Sequence, residues 1–482
     1  MNDKSKNTIS RRTFLIGGAT LIGGAALAQV YRLLAKAGAL ANESYLPMVS
    51  RSGSKATATN TRPANATATR TPTRTNTPNH TPTRTGTPTR TATKPAITPM
   101  PGAGRVVHVR HASATSWKGE ASPCFYDSTR VSQTAINAMV LDGLTTLTGQ
   151  SGWAAIWHSL FSRIRAGGYS QGQTIAIKVN FNNSINNGNT CTTHNNIIDA
   201  LPQPICALIA GMKAANVRES DIVIYDASGR PGAAGWTGKT IPGYFRNTIS
   251  ANYPGVRYIG KSDCSGVTEA SWGKHSSLAV NFPGIQMQTR LLADVLYDAT
   301  YLINVPILKV HGGTAAIPVS LGFKNHLGSI NYVFETSEGD PNCFHAYINP
   351  TQGLYSQNAN PLATLYSHAC IAGKTILTLG DGLYGAFGAA STAWPIWSSF
   401  GGGAPNSLFF ATDPVAIDCV MADILRAEGK VARQYTYDYL FCAQEAGLGI
   451  CEGTRATPGG NPFQTPYGSG YGDLTYIRHD LS

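Results

Sequence analysis

The chain lacks any Cys-x-x-Cys motif, because its nine cysteines are scattered singly along the sequence. Zinc ribbons and ferredoxin-type clusters bind metal through closely spaced cysteines, so we do not expect a 4Fe–4S cluster. Scattered cysteines are compatible with disulfides outside the cytoplasm. Cys442 with Cys451 is one candidate pair, and Cys191 with Cys206 is another. Cys419 falls within a helical pattern and is a candidate free, buried thiol.

Acidic residues are absent from residues 51–100, which contain eight lysines and arginines. Residues 1–50 contain six basic and two acidic residues, so the first 100 residues account for the entire net charge of +12. Residues 101–482 are therefore neutral overall. A nucleic-acid-binding domain needs a basic face on its folded part. The charge distribution gives no support for nucleic acid as a partner.

No apolar run near the N-terminus is as long as a membrane span of roughly 20 residues. The run from Leu15 to Val30 is 16 residues long and follows the pair Arg11-Arg12. Paired arginines before a mildly hydrophobic segment are typical of a twin-arginine export signal. An ordinary secretory signal or an uncleaved anchor helix is the alternative. Ala39-Leu40-Ala41 offers a cleavage site. We therefore expect residues 1–41 to engage the twin-arginine export machinery, which predicts a periplasmic, cell-surface or extracellular location.

Residues 42–104 are rich in Thr, Pro and Arg, and they repeat the unit TPTRT at Thr71–Thr75, Thr81–Thr85 and Thr87–Thr91. Such a segment cannot bury enough apolar surface to offset the entropy lost on ordering. We expect a disordered linker that works as a spacer. Its arginines could contact anionic polymers of the cell envelope.

Short apolar runs alternate with helical patterns across residues 105–482, which we interpret as one domain. This alternation predicts an α/β fold with a largely parallel sheet covered by helices, preceded by the disordered N-terminal region. The predicted strands are Val106–Val109, Thr174–Val179, Ile222–Tyr225, Val256–Ile259, Tyr301–Val305, Thr375–Leu379 and Leu408–Phe410. The predicted helices are Thr134–Leu147, Trp153–Ala166, Pro204–Asn216, Leu362–Ala372 and Pro414–Glu428.

The stretch from Ile307 to Ile330 combines cationic and imidazole side chains with an apolar, Gly-rich background. Its candidate catalytic residues are Lys309, His311, Lys324, Asn325 and His326. Lysine is rarely buried without a partner, and ligands of open α/β sheets bind at the carboxyl ends of strands. The stretch directly follows a predicted strand, which favours a functional site. Two ordinary solvated surface loops are the alternative.

Other predicted strands also end in polar residues, which predicts one shared rim. The candidate substrate-binding residues are Lys178, Asn180, Asp226 and Arg230, and the candidate metal ligands are Asp381 and Asp413. Each has a structural alternative. Asp413 precedes Pro414 and is a candidate helix N-cap, Asp381 precedes Gly382 in a candidate turn, and Lys178 is a candidate partner in a structural ion pair.

The same segments resemble the domain of unknown function 362 family. The resemblance rests on IAIKVNF, on LINVPILKVHGG followed by GFKNHLGSI, on LGDGLYG and on FFATDPVAIDCV, and it covers most of residues 105–430. It implies an α/β domain and brings no settled activity. Some members carry a segment of clustered cysteines that binds iron–sulfur, and this chain has no such segment.

Two functions are compatible with the sequence. The first is an enzyme that acts on an anionic substrate through Lys, His and Asp side chains, with a divalent metal or another cofactor as an open variant. The second is a non-catalytic binding module for carbohydrate or wall polymer, which would use aromatic residues of Gly-rich loops such as Trp394 and Trp397. An enzyme should gather the Lys, His and Asp side chains in one place, whereas a binding module could leave them scattered.

Overall fold

A computed structural model of the protein describes residues 102–181, 189–228, 239–311, 319–331, 344–348, 353–388, 391–430, 437–453 and 471–482. The predictions for the export signal and for nearly all of the linker, at residues 1–101, lie outside these ranges, and so does candidate residue Arg230. Among the described residues, no helix has both the length and the hydrophobicity needed to cross a membrane.

The strands are β1 (Arg105–His111), β2 (Thr174–Lys178), β3 (Ile222–Tyr225), β4 (Arg257–Gly260), β5 (Val267–Glu269), β6 (Ala279–Val280), β7 (Arg290–Leu291), β8 (Ala299–Asn304), β9 (Ile307–Lys309), β10 (Thr375–Ala386), β11 (Ser407–Ala411) and β12 (Thr475–Leu481). The helices are α1 (Gln133–Thr148), α2 (Trp153–Phe161), α3 (Pro202–Ala214), α4 (Gly243–Asn252), α5 (Asp294–Asp298), α6 (Gly322–Asn325), α7 (Pro361–Tyr366), α8 (Pro414–Ala427) and α9 (Asp438–Glu445).

Ten of these strands form one sheet in the order β12-β1-β11-β10-β8-β2-β3-β4-β5, with β9 paired to β10. Only β11 runs antiparallel to its neighbours β1 and β10, and the other described pairs of this sheet are parallel. The predicted α/β fold with a largely parallel sheet is confirmed. We call the edge at which β2, β3 and β8 end the carboxyl edge.

Hydrophobic side chains pack on both faces of the sheet. In β2, Ala176 belongs to one core cluster, while Ile175 and Ile177 belong to the other. This alternation follows from the two-residue period of a strand. Helices α1, α2 and α3 cover the second cluster, and α8 and α9 cover the first. The two buried faces explain why the central strands are apolar almost throughout.

Cys191 forms a disulfide with Cys264, which lies 73 residues further along the chain. The predicted pair of Cys191 with Cys206 is therefore wrong, and Cys206 is a buried free thiol. Cys442 and Cys451 are not bonded to each other, so the second predicted pair is wrong in this structure. Cys419 is free and fully buried, as predicted.

Candidate functional site

Asn325 is the centre of a buried hydrogen-bond network at the carboxyl edge. Its Oδ1 accepts from Lys178 Nζ at 3.2 Å and from Asn180 Nδ2 at 3.1 Å. Its Nδ2 donates to Asn304 Oδ1 at 2.8 Å, and Asn304 Nδ2 donates to the Gly322 carbonyl oxygen at 3.0 Å. The network joins the ends of β2 and β8 to α6. The structure thus brings three predicted site residues, Lys178, Asn180 and Asn325, into direct contact.

Lys178 also forms a buried ion pair with Asp226, with 3.5 Å between Nζ and Oδ1. The other carboxylate oxygen of Asp226 accepts from the Phe181 N–H at 2.9 Å. Burial lowers the pKa of Lys178 to about 8, although Asp226 opposes the shift. A Cβ atom at Gly328 would lie 2.3 Å from Asp226 Oδ1 and 2.6 Å from Lys178 Nζ. Glycine is needed at position 328 because the ion pair approaches the backbone so closely.

Asp418 orients helix α6, which carries Lys324 and Asn325. Its Oδ1 accepts from the Gly322 N–H at 2.8 Å, and its Oδ2 accepts from the Phe323 N–H at 3.1 Å. These two bonds satisfy backbone donors at the start of the helix. Burial raises the pKa of Asp418 to about 7, against the effect of the two N–H donors. Asp418 therefore acts as a positioning residue for the site.

Lys309 is fully buried at the end of β9, and its Nζ contacts Ser320 Oγ at 3.0 Å. No described ion pair joins it to a carboxylate. Burial and, to a smaller extent, the nearby charge of Lys239 together lower its pKa to about 7. At neutral pH a substantial share of this amine is therefore uncharged. Lys178 differs, because Asp226 contacts its ammonium group.

Lys178, Lys239 and Lys309 act on one another electrostatically, and we call them the lysine cluster. Each of Lys178 and Lys309 has its pKa lowered by Lys239. Asp226 and Asp199 oppose this effect at Lys309 and at Lys239. Three lysine amines thus lie within electrostatic reach of two carboxylates, and one of them, Lys309, is partly neutral near pH 7. An anionic ligand bound here would favour the charged forms of these amines.

His311 and His345 form an imidazole pair next to Lys324. Their ring centroids lie 4.7 Å apart, and Lys324 Nζ lies 2.8 Å from His345 Nε2. Burial lowers the pKa of His311 far below its ordinary value, and the charges of Lys324, His345 and Lys309 add to the shift. Both Lys324 and Lys309 therefore lie near the same imidazole. His311 is neutral at physiological pH, and its buried Nδ1 has no hydrogen-bond partner among the described residues.

His326 is fully buried, within electrostatic reach of Lys178. Its Nδ1 contacts Ser329 Oγ at 3.1 Å, and its ring packs edge-on against Tyr366. Burial lowers its pKa well below the ordinary value, and the charge of Lys178 adds to this shift. The ring is therefore neutral at physiological pH, and a direct catalytic role for His326 stays a prediction.

Asp413 does not join the rim, because β11 runs antiparallel and ends at the opposite edge of the sheet. Its Oδ1 accepts from the N–H groups of Val415 and Ala416 at 2.9 Å each. Its Oδ2 accepts from the N–H groups of Gly104 and Ile450 at 2.8 Å and 3.0 Å. The prediction of a helix N-cap is confirmed, and the expected place of Asp413 among the site residues is wrong.

Asp381 lies inside β10, paired with Ile307 and Leu408, and its Oδ1 accepts from the Leu383 N–H at 3.1 Å. Burial raises its pKa to about 6. Asp413 lies five strand positions beyond Leu408, which corresponds to roughly 16 Å at about 3.3 Å per residue. Asp381 and Asp413 are too far apart to hold one metal ion together.

A different group of metal-type ligands lies at the disulfide. The side-chain donor atoms of Cys191, Cys264 and Asp263 lie within 4.8 Å of one another. Metal ions bind cysteine as the thiolate, and the two sulfurs are bonded to each other in this structure. The group does not fit a metal ion in its oxidised form, and no cofactor is identified by these residues.

Sequence reasoning missed four members of the site. Asn304 could have been identified from the sequence, because it is a polar residue inside the otherwise apolar segment LINVP. The sequence gives no such indication for Lys239, Asp199 and His345. Each lies outside the predicted strands and helices, and only the tertiary fold brings it to the site.

The family model described as "Domain of unknown function (DUF362)" matches residues 175–423, slightly more than half of the chain. The chain belongs to this family. The DUF362 match includes Lys178, Asp226, Lys309, Asn325 and Asp418, so the network around Asn325 and the helix cap lie inside the family domain. The family description names no activity. No curated protein and no solved structure matches the sequence.

Proposed function

We propose that this DUF362 protein is an enzyme that acts on a small anionic substrate at the carboxyl edge. The observation that carries the proposal is the convergence of the lysine cluster and the imidazole pair. Lys309 is electrostatically coupled to Lys178, Lys239 and His311, and His311 is also coupled to Lys324. Gathering these side chains in one place is what an enzyme requires, whereas a binding module has no need of it.

Different lysines suit different roles in this enzyme. Lys178 is kept charged by contact with Asp226, so it can bind a carboxylate or phosphate oxygen as a point charge. Lys324 lies beside the imidazole pair, where it can bind a second oxygen. Fixed cations of this kind stabilise negative charge that develops during a reaction.

Lys309 suits the role of general base. A buried amine without a carboxylate partner is partly neutral near pH 7, and the lone pair on its Nζ can accept a proton from the substrate. His311 is a much weaker base, because burial and the neighbouring charges hold its pKa far below the ordinary value, but its Nδ1 can form a hydrogen bond with the substrate. The anionic substrate bound beside Lys309 would stabilise the proton that this amine takes.

The same electrostatics disfavour a divalent cation among these residues, because the charged lysines, Lys178 above all, would repel it. A metal-dependent variant would need ligands that the described carboxyl edge does not bring together. Export by the twin-arginine route, with a periplasmic or cell-surface location, stays part of the proposal on the strength of the sequence alone.

A surface-binding role is the alternative, and one feature favours it. Trp394 and Ile396 are among the most exposed large hydrophobic side chains, at 42% and 55%. Ile396 borders a cavity of about 320 Å³ that also includes Trp117 and Lys118. An exposed aromatic side chain such as Trp394 can stack on carbohydrate, so the experiment below includes a variant at Trp394.

The experiment compares substrate consumption by wild type, Lys309→Met, Lys374→Met and Trp394→Ala. Purified protein is incubated with a panel of small carboxylates and phosphate esters, and loss of each compound is followed by mass spectrometry. Lys374 is the matched control, because its Nζ binds the backbone carbonyls of Leu296 and Tyr297 away from the site.

We expect an anionic compound to be consumed by wild type, Lys374→Met and Trp394→Ala. Lys309→Met should be slower by about 10²–10⁴-fold, the usual contribution of general acid–base catalysis. Equal consumption by Lys309→Met would overturn the assigned role. If no anion is consumed or bound, and an oligosaccharide binds wild type but not Trp394→Ala, the surface-binding role replaces the enzyme.

A further inference from the structure

Two free cysteines lie in contact inside the core. Cys419 Sγ in helix α8 and Cys451 Sγ lie 3.5 Å apart, although 32 residues separate them in the sequence. A disulfide has its sulfurs about 2.05 Å apart. The two sulfurs therefore need to approach by only about 1.5 Å to bond, a movement within the reach of side-chain rotation and a small backbone adjustment.

The other described cysteines outside the disulfide are not placed in this way. Cys442 Sγ donates to the Gln357 carbonyl oxygen at 3.2 Å, and Cys124, Cys206 and Cys370 have no described sulfur neighbour. Among the described residues, the contact between Cys419 and Cys451 is the one thiol–thiol pair. The disulfide between Cys191 and Cys264 shows that this fold already contains one oxidised pair.

The position of the pair connects it to the rest of the fold. Cys419 follows Asp418, the residue that caps α6, and Cys451 follows Ile450, whose N–H donates to Asp413 at the start of α8. A covalent bond between the two would tie α8 to the segment that precedes β12. It would therefore reinforce the element from which Asp418 orients the candidate site.

We propose that Cys419 and Cys451 are a modification site that closes as a second disulfide by exchange with a disulfide oxidant. The thiolate of one cysteine attacks the oxidant, forms a mixed disulfide and releases one thiol. The thiolate of the other cysteine then displaces the second thiol. Two electrons pass from the cysteines to the oxidant, and their two protons end on the released thiols.

Burial shapes the kinetics of this reaction. Both sulfurs are almost completely buried, so an external oxidant reaches them slowly in the folded state. Closure is expected to be fast during refolding, when the sulfurs are still accessible, and slow afterwards. Once formed, the bond is protected from reductants in the same way.

The test is peptide mapping of the full chain refolded from urea with oxidised glutathione. Trypsin cuts after Arg426 and glutamyl endopeptidase cuts after Glu445, so Cys419, Cys442 and Cys451 fall on three different peptides. The proposal predicts a peptide joined through Cys419 and Cys451, which separates on reduction. The joined peptide should persist in Cys442→Ser and disappear in Cys451→Ser.

Thermal unfolding gives a second measurement. Wild type refolded from urea with oxidised glutathione should unfold at a higher temperature than wild type refolded without it, because the bond restricts the unfolded chain. Cys442→Ser should keep the difference. A bond between Cys451 and Cys442, or glutathione left on Cys419 or Cys451 without a joined peptide, would overturn the proposal, and this result can be read from wild type alone.

Discussion

Gly328→Ala is expected to damage the candidate site through one methyl group. The new Cβ would lie 2.3 Å from Asp226 Oδ1 and 2.6 Å from Lys178 Nζ, whereas ordinary contacts begin at 3.4 Å. The carboxylate oxygen must therefore retreat by about 1.1 Å. That oxygen already lies 3.5 Å from Lys178 Nζ in a fully buried ion pair. The methyl group thus forces the two charges apart where no water can replace the lost contact.

The cost of this substitution can be bounded from two sides. Overpacking alone costs about 1–3 kcal/mol, and loss of a partner from a buried ion pair costs about 3–5 kcal/mol. We expect the free energy of unfolding to fall by about 2–4 kcal/mol, measured by urea denaturation. Gly167→Ala is the matched control, because nothing lies within 4 Å of a Cβ at that exposed position. Losses below about 0.5 kcal/mol in both variants would refute the reasoning.

Three further predictions concern individual buried charged residues. Asp226→Asn should lower the free energy of unfolding by about 3–5 kcal/mol, because it leaves Lys178 buried without its partner, and adding Lys178→Met should recover part of the loss in urea denaturation. The free energy of unfolding should rise with pH between about 7, the folded pKa of Lys309, and about 10.5, because the unfolded state binds the proton that the folded state has released. Lys309→Met should reduce that slope, by at most about 1.4 kcal/mol per pH unit, and an unchanged slope would contradict the assigned pKa. Asp413→Ala should cost about 1–2 kcal/mol as a lost helix cap while leaving the binding of inorganic phosphate unchanged in equilibrium dialysis, and a large loss of binding would contradict its placement at the opposite edge.

The positions of the central strands were predicted correctly from the sequence, but the end of one of them was not. The apolar runs of β2, β3 and β8 predicted their positions within two residues. β10 was predicted to end at Leu379 but continues to Ala386, because its glycines allow close packing and are not turn residues. A Cβ at Gly382 would lie 2.7 Å from Phe409, and one at Gly380 would lie 2.6 Å from the Met421 sulfur.

Other elements carried no clear signal. The C-terminal strand β12, at the edge of the sheet, consists of exposed and half-buried residues, most of them polar, so it lacks the apolar run of a central strand. The direction of β11 cannot be read from its composition, and this is why Asp413 was assigned to the wrong edge. Helix α2 was predicted to reach Ala166, but it ends at Phe161. Beyond this point the backbone forms tighter turns, in which, for example, the Ile164 N–H donates to the Phe161 carbonyl oxygen.

The candidate site was partly predictable for a physical reason. Lys178, Lys309 and Lys324 stood out because a buried ammonium group is costly, and the parallel sheet brings the ends of its strands to one edge. The neighbours that shift the pKa values of these lysines were not predictable, because Asp199, Lys239 and His345 lie outside the predicted strands and helices. The pKa of Lys309 depends on these neighbours. The sequence therefore predicted where the site lies, but not the protonation state of its lysines.

The claim that the lysines and the imidazole pair form one anion site is tested most directly by NMR of protein labelled with ¹³C at lysine Cε. Inorganic phosphate is titrated into wild type near pH 7. We expect the signals of Lys178, Lys309 and Lys324 to shift together, with one shared dissociation constant, while the signal of Lys374 stays unchanged. We also expect phosphate to raise the pKa of Lys309 above about 7. Independent responses of the three lysines, or none at all, would contradict a single anion site.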